Sequence, residues 1–155
     1  MKREIQLEKV SLDDAAQLWQ MQRIAFSEHL AKYQDTETNP ASQTLERVRE
    51  KLTQPDSSFY WIKWGEELIG GIRIVTPKNE SKRISPLFVL PQYRDRGIAQ
   101  RAIKLAEELY GDKDWILGTI LQEKRNCHLY EKAGYCPTGE TQEINSKMTL
   151  IFYKK

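Results

Sequence analysis

The stretch Arg94-Asp95-Arg96-Gly97-Ile98-Ala99 joins two patterns, the apolar run Arg83-Ile84-Ser85-Pro86-Leu87-Phe88-Val89-Leu90 and a segment in which Ile98, Ala102, Leu105, Ala106 and Leu109 share one helical face. A helix starting directly after a strand presents several unpaired N–H groups and roughly half a unit of positive charge, which suits an anion such as phosphate. Gly97 would let that anion approach the backbone, and Arg94 and Arg96 would add charge and donors at the rim. Out of context, the same residues also describe a tight turn flanked by solvated arginines; their position between strand and helix favours the ligand. Asn126 and Tyr130 lie one helical turn apart, so both side chains can face one ligand. A phenol with a reference pKa of about 10 stays protonated at neutral pH and is available as an acid. Read alone, Asn126 also suits a helix cap and Tyr130 a packing contact with Leu129 and Ala133.

The elements that position these groups follow from periodicity. Ile5, Leu7 and Val10 open a short strand, and Ser11-Leu12-Asp13-Asp14 resembles a capping sequence before a helix from about Asp13 to Leu30. Asn39-Pro40 suits a cap followed by a first helical residue, Leu45, Val48 and Leu52 give a short second helix, and Pro55 stops it. Phe59 to Trp64, a Gly65-Glu66 turn and Leu68 to Val75 form a hairpin, in which Gly70-Gly71 signals a bulge or a close backbone approach. Pro86 cannot serve an interior ladder position, so it belongs at a bulge or where its strand has lost a neighbour. After the third helix, stopped at Gly111, come a buried strand over Trp115 to Leu121 and a short helix over Asn126 to Ala133, closed by Gly134. Strands over Tyr135 to Thr138 and Met148 to Tyr153 end the chain.

With 155 residues and 39% hydrophobic content, one domain over residues 1–155 is expected. Lys and Arg number 24 against 22 Asp and Glu, a formal charge of +2 that makes no electrostatic case for nucleic acid. No run reaches the roughly 18 to 20 apolar residues of a membrane span, and Met1-Lys2-Arg3-Glu4-Ile5-Gln6 lacks an apolar signal core, so a cytoplasmic protein is expected. Cys127 and Cys136, without a CxxC pair or a His cluster, read as reduced thiols, with no metal site.

Arg94-Asp95-Arg96-Gly97-Ile98-Ala99 resembles the signature of the GNAT superfamily of N-acetyltransferases, Q or R-x-x-G-x-G or A, and Phe88-Val89-Leu90-Pro91-Gln92-Tyr93 resembles the strand leading into it. Downstream, Asn126-Cys127-His128-Leu129-Tyr130-Glu131-Lys132-Ala133-Gly134-Tyr135 resembles the family's N-x-x-x-Y-x-K-x-G-aromatic segment. The order of elements extends the resemblance over nearly the whole chain. It implies an α/β (α+β) fold with a mixed, mostly antiparallel central sheet, flanked by about four helices, and a splayed strand pair holding the coenzyme.

The resemblance further implies acetyl-CoA as co-substrate, with its pyrophosphate on the backbone of Arg94 to Ala99. The pantetheine arm would lie along Phe88 and Val89 like an added strand, and Asn126 would hydrogen-bond it. Tyr130 would protonate the departing thiolate. The acceptor would be a primary amine on a small molecule or peptide, attacking directly in a ternary complex, so Cys127 is not required as a nucleophile. A homodimer is compatible with this family.

An amine with a reference pKa of about 10.4 is neutral only about once in a few thousand molecules at pH 7, so a base is needed. The strand positions Arg83, Ser85 and Leu87 supply none, which leaves Glu28, His29, Asp35 and Glu37 as candidates; Tyr33 would wall the acceptor pocket, and its acidic residues would attract a cationic amine. The competing reading is a catalytically silent acyl-CoA-binding sensor or interaction module. Nucleotide binding is weakened by the absence of both the P-loop and the dinucleotide fingerprint.

Overall fold

A computed structural model describes residues 4–155; Met1, Lys2 and Arg3, part of the stretch read above for a signal core, lie outside the described residues. Seven strands occur among those residues: β1 (Ile5–Lys9), β2 (Ser57–Trp64), β3 (Glu67–Val75), β4 (Lys82–Val89), β5 (Trp115–Ile120), β6 (Cys136–Asn145) and β7 (Met148–Lys154). They pair in the order β1-β2-β3-β4-β5-β7-β6, antiparallel throughout except for β4 and β5. The helices are α1 (Ala15–Tyr33), α2 (Leu45–Thr53), α3 (Ile98–Tyr110) and α4 (Lys124–Lys132).

Alternation along the strands builds two cores, one on each face of the sheet. Phe59, Trp61 and Phe88 pack with Leu18, Met21 and Ala25 of α1 and Val48 of α2. Ile62, Ile72, Ile74, Ile84 and Val89 pack with Ile98, Ala102, Ile103 and Ala106 of α3 and with Tyr130 of α4. No described helix is long and apolar enough to cross a membrane.

The expected mixed sheet with four helices is observed, and several boundaries differ for identifiable reasons. A 3-10 turn over Leu12–Asp14 precedes α1, which continues past Leu30 to Tyr33 because Gln34 accepts a left-handed conformation (φ 55°) and caps onto Leu30 O at 2.8 Å. Asn39-Pro40 starts a separate 3-10 turn, while α2 takes its cap from Thr44, whose hydroxyl accepts from Arg47 N at 3.1 Å. At the other end of the chain, β6 runs to Asn145 instead of Thr138. It is one of the two edge strands, its middle positions are exposed and polar on both faces, and no alternation marks it.

The feature that shapes the molecule lies between β4 and β5. Only two residue pairs join them, Lys82 with Trp115 and Arg83 with Ile116, after which the strands diverge. Pro86 sits at the start of this divergence and also in a bulge: Leu87 opposes Ile72 and Ile84 opposes Ile74, so Ser85 and Pro86 share the single partner Arg73. Both alternatives for the proline hold, and so do both for Gly70-Gly71. The β2–β3 register breaks beside Gly70, and a Cβ there would lie 2.2 Å from Phe88 O. Glycine is what lets β3 and β4 come this close.

Candidate active site

A cavity of about 1470 Å³ fills the splay and extends from the loop before α3, past β4 and β5, to α2 on the opposite face of the sheet. At one end the chain turns through Gly97, whose φ of 74° favours glycine, directly into α3. A Cβ added at Gly97 would meet nothing within 4 Å, so its outer side faces open space. Arg101 N is the first amide to find an intrahelical acceptor, Gly97 O at 3.1 Å, and Gly97 offers no side-chain cap. The N–H groups of Ile98, Ala99 and Gln100 are therefore presented where an anion could sit.

The loop's charged side chains are placed differently from expectation. Arg94 turns inward: its Nε donates to Val89 O at 3.2 Å, Nη2 donates to Ala25 O at 2.7 Å, and Nη1 lies 3.6 Å from Glu28. It fastens the loop to α1 and to the end of β4. Arg96 stacks its guanidinium over the Trp64 ring, 5.6 Å from the centroid, and does not line the cavity. Asp95, with a positive φ of 64°, is ion-paired to Arg125 at the start of α4. An anion at this turn would thus meet backbone more than arginine.

Backbone direction corrects one expectation on β4. Phe88 O points at Gly70 of β3, and Leu90 N donates to Ile69 O at 2.8 Å. Strand groups alternate between the two edges, so Leu87 and Val89, rather than Phe88, direct theirs into the splay. Phe88 contributes its ring, edge-on between Phe26 (5.6 Å) and Phe59 (6.5 Å), as part of the cavity lining.

Across the gap, α4 starts two residues earlier than expected, with Glu123 at its N-cap position, so Asn126 is not a cap. Its side chain lines the cavity without a hydrogen bond to any described residue. Tyr130, only 8% exposed, packs against Tyr135 and Tyr153 with ring centroids 6.0 and 6.3 Å away. Its hydroxyl bonds to no described residue, yet among the described residues no buried side-chain polar atom lacks a partner, so that hydroxyl reaches the open cavity. Burial first, and then the Cys127 thiol, push the phenol's pKa up, which keeps it protonated. Cys127, on α4 itself, is buried and does not line this cavity.

Among the candidate bases, Asp35 is 2% exposed, and its carboxylate accepts from Glu37 N at 3.1 Å, Thr38 N at 2.9 Å and the Thr38 hydroxyl. It staples a turn. Asp35 still lines the cavity, whereas Glu37 lies outside the lining. Tyr33 is not a wall, because its hydroxyl is committed to Glu123. Glu28 and His29 line the cavity as well.

Sequence reasoning passes over Glu123 altogether. Its carboxylate takes hydrogen bonds from Tyr33 and from Lys32 Nζ (2.9 Å) and lies 3.3 Å from His29 Nε2. Burial would raise its pKa, but the bonds from Tyr33 and Lys32 outweigh that and hold it below the usual carboxylate value. Glu123 lies three residues past the end of β5, a position that could have been flagged; its partners on α1, some ninety positions earlier, could not.

A seven-stranded sheet splayed over a glycine turn and a backbone anion site is an acyl-coenzyme A architecture, and residues 16–135 match the Acetyltransferase (GNAT) family. The chain belongs to that family and is an acyltransferase with acetyl-CoA as co-substrate. No curated protein matches it by sequence. By structure it is similar to an acetyltransferase from Thermus thermophilus (19% identity, 99% of this chain and 97% of that one, TM-score 0.72). It is also similar to the PaiA N-acetyltransferase from Thermoplasma acidophilum in complex with coenzyme A (18%, 98% and 99%, 0.72). A third likeness is to spermidine N-acetyltransferase from Vibrio cholerae in complex with CoA and spermine (14%, 96% and 93%, 0.72). At these identities the likeness is one of fold.

Proposed function

We propose that this protein transfers the acetyl group of acetyl-CoA to a primary amine by direct attack, with Tyr130 as the general acid. The observation that carries the reading is the unpartnered Tyr130 hydroxyl, opening into a cavity that runs through the splay and has a backbone anion site at one end. The N–H groups of Ile98, Ala99 and Gln100, reached past Gly97, suit the pyrophosphate; Leu87, Val89 and the free Asn126 amide suit the amide groups of pantetheine. As the amine nitrogen bonds to the thioester carbon and the carbon–sulfur bond breaks, the leaving sulfur takes a proton from Tyr130.

The amine's proton has a destination in the same cavity. His29 lines that cavity and lies, through Nε2, 3.3 Å from the Glu123 carboxylate, which would stabilise the imidazolium formed when the imidazole takes the proton. On this reading His29 is the base and Glu123 its supporting carboxylate. Amine acetylation by structural neighbours, such as spermidine acetylation, agrees with the reaction type.

The test is thiol release from acetyl-CoA across a panel of amines for wild type and Tyr130→Phe. Acceptor-dependent release, slowed on the order of a hundredfold in the variant with CoA affinity retained, is expected. Tight CoA binding without turnover on any amine would instead identify a sensor.

A further inference from the structure

On the α1 and α2 side of the sheet, the far lobe of the cavity ends among cations drawn from three elements: Arg47 and Lys51 of α2, Arg73 of β3 and Arg83 of β4. Arg73 is the key residue, being only 8% exposed and charged. Its Nε donates to Ser57 Oγ (2.8 Å), Nη1 to Ser85 O (3.0 Å) and Nη2 to Gln54 Oε1 (2.8 Å), all neutral acceptors. No described carboxylate forms an ion pair with Arg73, Lys51 or Arg83, and Arg47 has only the exposed Glu50 on its own helix, at 3.0 Å. Asp56 and Glu80 also line the lobe, both exposed, so four cations meet two acids.

This arrangement works against stability. Burial lowers the pKa of Lys51 to about 8, and the neighbouring Arg73 and Arg47 act in the same direction. Like charges gathered in a half-buried lobe, with hydrogen bonds satisfied and charge compensated only in part, by Asp56 beside Arg73 and by Glu80, are what an anion-binding site requires before its ligand arrives. Arg73 also holds Ser85 in the β4 bulge; at a strand rise of roughly 3.3 Å per residue, that places the lobe about 10 Å from Phe88, within the span of a small molecule.

We infer that this lobe holds an anionic group of the acceptor, a carboxylate or a phosphate, so that the acceptor is a small amine that also carries a negative charge. This rests on the reading above that the coenzyme occupies the α3 end and leaves this lobe to the acceptor. A polyamine would set its second ammonium among four cations.

Calorimetric titration in the presence of CoA tests the inference with matched probes: 5-aminopentanoate, 3-aminopropyl phosphate, pentylamine and 1,5-diaminopentane. Since a hydrogen bond to a charged group contributes about 1.5–3 kcal/mol, the anionic amines should bind about tenfold to a hundredfold more tightly than pentylamine, and the diamine no better than pentylamine. The tighter of the two anionic probes identifies which anion the lobe takes. Lys51→Met should reduce that preference and Lys51→Glu should abolish it, with CoA affinity as the control for folding. Equal binding of all four probes, no binding of the anionic ones, or a preference that survives in Lys51→Glu overturns the inference. Thiol release on the same probes separates the two readings. Anion-selective binding without transfer sinks the transferase reading alone, whereas equal transfer to all four probes sinks the anionic lobe alone.

Discussion

His29 and Glu123 illustrate how a candidate pair escapes a linear reading. In the sequence His29 is one of four undifferentiated candidates on a polar stretch, and Glu123 is none; only folding sets them 3.3 Å apart and removes Asp35 by committing its carboxylate to Thr38 and Glu37 N. Residues held by local rules are easier to place. Gly97 precedes a helix and needs a positive φ, and Tyr130 lies one turn from Asn126, so spacing puts the first at a turn and the other two on one helical face, while the roles come from the resemblance to the GNAT motifs. Arg94 and Arg96 depart from expectation because type and position do not say where a long side chain ends. If His29 takes the amine proton, His29→Gln should lower kcat by about a hundredfold while leaving CoA affinity unchanged. Glu123→Gln, which keeps the side chain's shape but loses its charge, should cost less. An unchanged kcat in His29→Gln would return the base role to Glu28 or to solvent.

Individual elements are legible wherever one face is apolar, as in α3 or β3, and illegible where neither face is, as in the exposed edge strand β6. α2 is legible through Leu45, Val48 and Leu52, but its other face is not: Arg47 and Lys51 look like ordinary surface charges until β3 places Arg73 beneath them. A stability prediction follows from that face. Lys51 has a pKa of about 8 in the folded chain against 10.5 when unfolded, so between those values the unfolded state binds more protons and stability rises with pH. Below pH 8 the penalty is present in full. Lys51→Met should therefore melt higher than wild type at pH 7, with the gap closing between pH 8 and 10.5. If the gap is absent at pH 7, the lobe does not strain the helix. A variant that gains stability while losing acceptor affinity would mark Lys51 as a residue kept for binding.

At the scale of the whole molecule, the sheet is two blocks, β1 to β4 and β5 to β7, whose β4–β5 seam has only the pairs Lys82–Trp115 and Arg83–Ile116. Elsewhere in the sheet, neighbours pair along most of their length, as β2 and β3 do from Ser57–Val75 to Trp64–Glu67. The molecule has therefore left strand edges open beside Pro86 that a co-substrate can complete, at a place where α4 brings Asn126 and Tyr130 against the gap. Binding there should tighten both blocks at once. With CoA at 100 times its dissociation constant, mass action alone adds about 2.7 kcal/mol to the unfolding free energy, read as a rise in Tm. Hydrogen exchange locates the effect. Leu87 and Val89, whose amides face the splay, should exchange freely in the unliganded protein and slow on CoA addition, whereas Phe88, facing β3, should be protected in both states. Equal protection of all three before CoA is added would mean that β4 already has a partner on that edge, and the strand-like seat for the pantetheine would have to be given up.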